Sequence, residues 1–425
     1  MYSNALLKAG GTGVSQDFNN LIINKPAGSL TITRSNLDVD LALTITAGTL
    51  DLNGNNVTTT TSLTNHGTIR LQGAETVSWA TNYTTDGTYE YYGAGAGPYT
   101  IKVFTGDDYY NLSINAANGT DIFNLDTNIV LAGGSLSAGA GILSLSGYNI
   151  TGGSSLICNS GWIRLKGIET VFWTTIDGMC GTFEYIGNNT PDNITIKNFG
   201  ASGYFNLIIN DTNVSKATFV LSADLRVNGN LTISSGTLDV TASNYSITSS
   251  GNWTDSATFT QRSGLIIFNG TNRQLITTGS NSFYNMTVTN VSKQGLRFVD
   301  ACTILNNFTS ILGGTQLSFN GTSTYAFKNI VINGQSIDKK IVLQSYATGI
   351  AWLFNVAGTQ SVSYVVVSDS NASGSVAPIV ATKSAGTNVT NWSFSMARDF
   401  GERIESALRL ESNVREFAET RQLIA

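Results

Sequence analysis

Charge is the first thing this sequence lacks. Only 12% of its 425 residues are Asp, Glu, Lys or Arg, about half the usual share of a soluble domain. The net charge of -5 offers no basic field, so nucleic acid is not an expected partner. Histidine occurs once, at His66, which argues against a histidine-based triad and against a multi-histidine metal centre. The three cysteines, Cys158, Cys180 and Cys302, form no C-x-x-C pair, so neither a zinc site nor a thioredoxin-type site is expected. No apolar run approaches the ~18 residues that span a membrane. The opening residues have neither a basic start nor a continuous apolar core, so they do not read as a signal peptide. Met1 reads as the start of an excised or processed chain; the alternative is a cytoplasmic protein that needs no signal.

What the chain does have is repetition, which outranks local propensity as evidence of architecture. One phrase returns five times: FNNLIIN from Phe18, YYNLSIN from Tyr109, YFNLIIN from Tyr204, FYNMTVT from Phe283 and FKNIVIN from Phe327. A second phrase, IRLQGAETVSW at Ile69–Trp79, returns as IRLKGIETVFW at Ile163–Trp173, and GTYEYYG at Gly87 returns as GTFEYIG at Gly181, both 94 residues later. Inside each unit Leu, Ile and Val alternate with Thr, Ser, Asn and Asp over short stretches, and Gly or Asn-Gly interrupts them. That pattern predicts short half-buried strands joined by tight turns. Unequal unit spacings favour a solenoid, which can gain or lose a coil, over separate sandwiches. The expected fold is therefore all-β: a parallel, right-handed β-helix solenoid over residues 18–394, with repeat units starting near 18, 109, 204, 283 and 327. Residues 1–17 would form a cap or linker. Leu21, Leu112, Leu207 and Met286 should face the interior.

The segment IIFNGTNRQLITTGSNSFYNMTV (Ile266–Val288) resembles the β-strand repeats of large prokaryotic surface proteins of the filamentous-haemagglutinin-like and autotransporter-like kind. The stretch Val362–Phe394, ending in Asn-Trp-Ser-Phe, resembles the closing coils of such β-helices. The resemblance implies an exported, surface-attached structural or adhesion module, with surface glycans or other surface proteins as partners. It transfers no catalytic residue.

Candidate chemistry is sparse. Asp38 with Asp40, Asp107 with Asp108, and the repeated Glu75 and Glu169 are the carboxylates that glycosidase or lyase work could use. The recurrence of Glu75 and Glu169, like that of Arg70 and Arg164, points instead to scaffold, read here as a Glu–Arg pair between coils. No catalytic residue, cofactor or metal site is expected. His66 reads as a turn residue. Cys158 and Cys180 lie 22 residues apart, about one coil, and are candidates for a disulfide or a stack. Trp79, Trp173, Tyr89, Tyr91 and Tyr92 could form a sugar platform, but repeated aromatics more often fill a core. Alternation places Tyr89 and Tyr91 on one face and Tyr92 on the other. Among the many N-x-[ST] sequons, Asn56, Asn82, Asn230, Asn252, Asn307 and Asn391 are candidate glycosylation sites.

At the C-terminus the composition changes. From Ala397 to Ala425, 11 of 29 residues are charged, and Leu, Ala, Glu and Arg predominate, all strong helix formers. Asp399 with Glu402 makes a capping box, so a helix over residues 399–422 is expected within a helical tail spanning 395–425. Its RDFGE and REFAE phrases resemble Arg- and Glu-rich tandem repeats that follow β-rich regions in some archaeal surface proteins. The sequence as a whole reads as an extracellular or cell-surface structural or adhesive module that spaces or presents other domains. A carbohydrate-binding or carbohydrate-cleaving β-helix is the alternative, and a viral fibre or spike component a further one.

Overall fold

Alternating stretches interrupted by glycine or asparagine satisfy their backbone groups by pairing with a neighbouring coil, because an extended strand offers its N–H and C=O groups no partners within itself. The computed structural model describes residues 4–7, 18–59, 62–95, 97–173, 176 and 181–395. Its strands stack in parallel as a β-solenoid of about 17 coils. Among the described residues the one helical element is a 3-10 turn at Ile337–Lys339. The chain divides into two compact units. The first holds Met1–Gly229 with Ile233–Leu238, and the second holds Asn230–Thr232 with Asp239–Ala425.

In the first unit, one sheet stacks Leu37–Asp51, Thr68–Leu71, Thr88–Tyr91, Asn111–Asn115, Ser135–Ala140 and Ser155–Cys158. Register aligns Leu50, Ile69, Tyr89, Leu112, Leu136 and Leu156 in one inward column, and all six are buried. A second sheet aligns Phe123, Leu143, Ile163, Phe183 and Leu207 in the same way. In the second unit the corresponding column is Ile247, Ile266, Met286, Phe308 and Ile330. Each buried side chain of this size stabilises the stack by roughly 1.5–3 kcal/mol. The interior is held by apolar columns, and the repeat length is set by the residues needed to travel once round the coil.

Three of the four interior residues expected from the repeat phrase, Leu112, Leu207 and Met286, are fully buried. Leu21 is only half-buried. Its strand, Phe18–Ile32, pairs with Ala5–Leu7 only over Leu30–Ile32. Among the described residues, Leu21 therefore has a paired neighbour on one side alone, Leu43. The phrase asparagine acts as a clip. Asn111 Nδ2 donates to the Gly87 carbonyl while its Oδ1 accepts from the Ser135 N–H, joining three coils. The expected cap or linker at 1–17 and helix at 399–422 lie outside the described residues, apart from residues 4–7, of which Ala5–Leu7 is a strand. Ser395, the first residue of the expected helical tail, ends the strand Trp392–Ser395.

Candidate functional site

The repeated phrases of the first unit bring charged and phenolic groups to the same place twice. On the outer face of one sheet, register aligns Asp51, Arg70 and Glu90 on three successive coils. Arg70 Nε donates to Glu90 Oε1 at 2.8 Å and Nη1 to Asp51 Oδ2 at 3.1 Å. Tyr92 lies over the guanidinium, 4.3 Å from ring centroid to Cζ, and its hydroxyl donates to Asp51 Oδ1 at 3.0 Å. Burial and the adjacent Asp51 push the Tyr92 phenol well above its ordinary range. Ninety-four residues on, Arg164 Nε donates to Glu184 Oε2 at 2.7 Å, and Asn210 Nδ2 donates to the other oxygen at 2.8 Å. Here Ser144 takes the place of Asp51 in the register.

This corrects the expected pairing. Arg70 and Arg164 do bridge coils, but their partners are Glu90 and Glu184, not Glu75 and Glu169. Glu75 turns inward and is 1% exposed. It accepts backbone N–H groups from Gln72, Gly73 and Gly54 at 2.7, 2.7 and 3.0 Å. Glu169 is fully buried and repeats this with Lys166, Gly167 and Gly147 at 2.7, 2.7 and 3.0 Å. The geometry depends on Gly73 and Gly167, whose φ values are +115° and +98°. A β-carbon at Gly167 would stand 2.2 Å from Ile194 Cγ2. The spacing of the two phrases carried the missed signal: Arg70 to Glu90 and Arg164 to Glu184 are both 20 residues, one coil.

Two buried tyrosine pairs hold a loop apiece. Tyr91 and Tyr109 share a hydroxyl–hydroxyl hydrogen bond of 2.9 Å, as do Tyr185 and Tyr204. The backbone N–H of Lys102 donates to Tyr91 and its carbonyl accepts from Tyr109. Lys197 makes the same two bonds with Tyr185 and Tyr204, at 3.0 and 2.6 Å. Burial pushes all four phenols well above the ordinary range, so they are neutral donors and acceptors.

The remaining candidate carboxylates are scattered. Asp38 and Asp40 are half-buried on one strand. Asp107 is exposed, whereas Asp108 is 3% exposed and accepts the Phe104 and Val130 N–H groups, both at 2.8 Å. Burial raises the Asp108 carboxyl above its ordinary range. His66 sits in a turn, as expected, with Nδ1 2.9 Å from both oxygens of Asp86 and Tyr83 beside it. Cys158 and Cys302 are buried. Cys158 lies against Gly181, where an added β-carbon would be 1.9 Å from its Sγ; Cys180 lies outside the described residues. Tyr89 and Tyr91 face inward while Tyr92 faces out, as alternation requires. Trp79 is half-buried on Phe104, with centroids 5.5 Å apart, and Trp173 is buried, so neither forms an open platform. Among the described residues, no three His, Cys, Asp or Glu side chains group as a metal site. No helix there is long and apolar enough to cross a membrane.

The sequons fall into two geometric classes. Asn56, Asn230 and Asn252 stand at coil corners, where Oδ1 accepts the N–H of the next coil: Thr76, Asn252 and Leu275 respectively, at 2.8–2.9 Å. Asn307 Oδ1 likewise accepts from Asn329 Nδ2 at 3.3 Å. Asn82 and Asn391 instead use Nδ2, the atom that would carry a glycan, to donate to the carbonyls of Asp108 and Ala372. No protein family, curated protein or solved structure matches this chain.

Proposed function

We propose that this chain is a structural or adhesive cell-surface module, spacing or presenting other domains, and that it works without catalysis. The observation that supports this reading is how its repeated polar groups are used. Glu75, Glu169 and Asp108 bind backbone of their own or a neighbouring coil, and the four loop-holding tyrosines bind backbone and one another. Arg70 and Arg164 are bound to carboxylates one coil away. A catalytic carboxylate needs reach to a substrate proton, and these buried groups are turned toward the protein. The surface location follows from the sequence resemblance, and surface glycans or other surface proteins are the partners it implies.

Two measurements on the purified chain test the proposal. Beads coated with it should be retained on cell-surface or glycan-coated layers above bare beads, or the chain should resist extension in single-molecule pulling as a load-bearing spacer does. Incubation with a panel of polysaccharides should release no new reducing or unsaturated ends. Sustained release, lost on substituting Asp107 or Asp108, would overturn the reading in favour of carbohydrate cleavage.

A further inference from the structure

In the second unit, the strand Trp253–Asp255 pairs with Gln274–Thr277, which pairs with Leu296–Phe298. One residue past this register stand Asp255, Thr278 and Asp300, one above another at the same corner. Asp300 binds back toward the middle coil, accepting the Thr278 N–H at 2.8 Å and the Gly279 N–H at 2.8 Å. Thr278 directs its hydroxyl to the Ala301 carbonyl. Asp255 is 1% exposed. Its Oδ1 accepts the Ala257 N–H at 3.1 Å, and Asn281 Nδ2 donates to the Ala257 carbonyl at 3.0 Å. Its Oδ2 is buried and has no hydrogen-bond partner among the described residues. The charged or titratable groups facing this carboxyl are other acids: Asp300 acts on it directly, and the buried Cys302 thiol lies on the coil of Asp300. No cation is paired with either aspartate among the described residues.

A buried carboxylate oxygen with no donor and an anion for a neighbour is costly. The less costly state is the carboxylic acid. We propose that Asp255 is a proton-binding site built into the second unit, which locks these coils more firmly as the surroundings turn mildly acidic. Burial, more than the neighbouring charge, pushes the carboxyl up to about 6 from its ordinary 3.8. Between those values the folded unit holds a proton that the unfolded chain does not. Stability therefore rises as pH falls from above 6 toward 3.8, and the gain is complete below that. A displacement of that size corresponds to roughly a hundredfold in the folded-to-unfolded ratio. For a module read as working outside the cell, this makes the second unit most secure in mildly acidic surroundings.

The test compares the full chain with Asp255→Asn, which mimics the protonated shape. Unfolding is followed from pH 7.5 to 4.5 by hydrogen exchange across residues 253–281, corrected for intrinsic rates. The wild type should gain protection on acidification. Asp255→Asn should already be better protected at pH 7.5 and lose most of the pH dependence. Carbon-13 carboxyl titration of the wild type, with Asp255→Asn for assignment, reads the same proton directly even if the variant folds poorly. A midpoint near 3.8, or an unchanged pH profile in a folded Asp255→Asn, would overturn the proposal.

Discussion

The two units meet one structural problem with opposite chemistry. In the first, the turn after the outward-facing arginine is closed by a buried carboxylate, Glu75 or Glu169, which accepts three backbone N–H groups. In the second, the turn after Phe268 is closed by Gln274, equally buried. Its Oε1 accepts from the Gly270 N–H and from Asn290 Nδ2, at 2.8 and 2.9 Å. Its Nε2 donates to the Ser249 and Gly251 carbonyls at 2.9 and 2.7 Å. A carboxylate is acceptor only, whereas an amide is both donor and acceptor. The choice between them is dictated by the groups that the corner backbone turns inward: only N–H groups in one case, carbonyls as well in the other. An ionised side chain is tolerated in the interior where three donors converge on it.

Exchanging the two solutions should break both. The largest effect is expected for Gln274→Glu, which places a carboxylate against two carbonyl oxygens. A loss of about 3–5 kcal/mol is expected, seen as vanished exchange protection over residues 249–274. Glu169→Gln should cost about 2–3 kcal/mol, because the new amide hydrogens face N–H donors. Circular-dichroism denaturation should show the lower midpoint, and Glu169→Asp should not restore it if the shorter side chain cannot span the three donors. Tyr204→Phe removes the donor to the Lys197 carbonyl and one partner of Tyr185, for about 1–2 kcal/mol. Protease nicking near Lys197 would report the loosened loop.

The smallest effect concerns an ion pair of the second unit that does resemble those of the first. Arg262 binds Asp239 through two 2.6 Å hydrogen bonds and holds its carboxyl below the ordinary range. A depressed carboxyl stabilises the fold above the ordinary carboxylate pKa, and that contribution fades as pH falls through the lowered value. Arg262→Gln should therefore lower stability modestly at neutrality, and the deficit should shrink as pH falls below about 4, which flattens the acid limb of the profile. Its slope is opposite in sign to that of Asp255, so the two variants together separate the carboxylate that gains from ionisation from the one that loses.

The solenoid was legible because strand alternation and repeated phrases are properties of the sequence itself. The opposite faces of Tyr91 and Tyr92 follow from period two alone. The role of Glu75 was not legible, since it depends on N–H groups that converge from two coils only after the chain has turned at Gly73. The Arg70 partner lay within reach. Two phrases that keep a 20-residue interval between Arg and Glu disclose the length of a coil, but the recurrence of Glu75 and Glu169 at equivalent positions favoured those residues as the partners. The asparagines divided for the same reason: a sequon is three residues long, while the bond that decides which side-chain atom remains outward comes from a strand some twenty residues away. The solitary carboxyl oxygen of Asp255 has no sequence signature, because its lack of a donor is a fact about three stacked turns.

The tyrosine pairs bear on how such a surface can change over time. Tyr91 with Tyr109, and Tyr185 with Tyr204, grip their loops by the main chain of a single residue, Lys102 or Lys197. Neither grip reads the side chains of the loop beyond that residue. After Lys102 the chain runs Val-Phe-Thr-Gly-Asp-Asp, and after Lys197 it runs Asn-Phe-Gly-Ala-Ser-Gly. Only the phenylalanine is common to both, and it packs against the upper tyrosine of each pair. The grip leaves the exposed loop positions Thr105, Asp107 and Ala201 outside its contacts. Duplicated coils fastened in this way can diverge in what they display to the outside while the fastening itself stays the same.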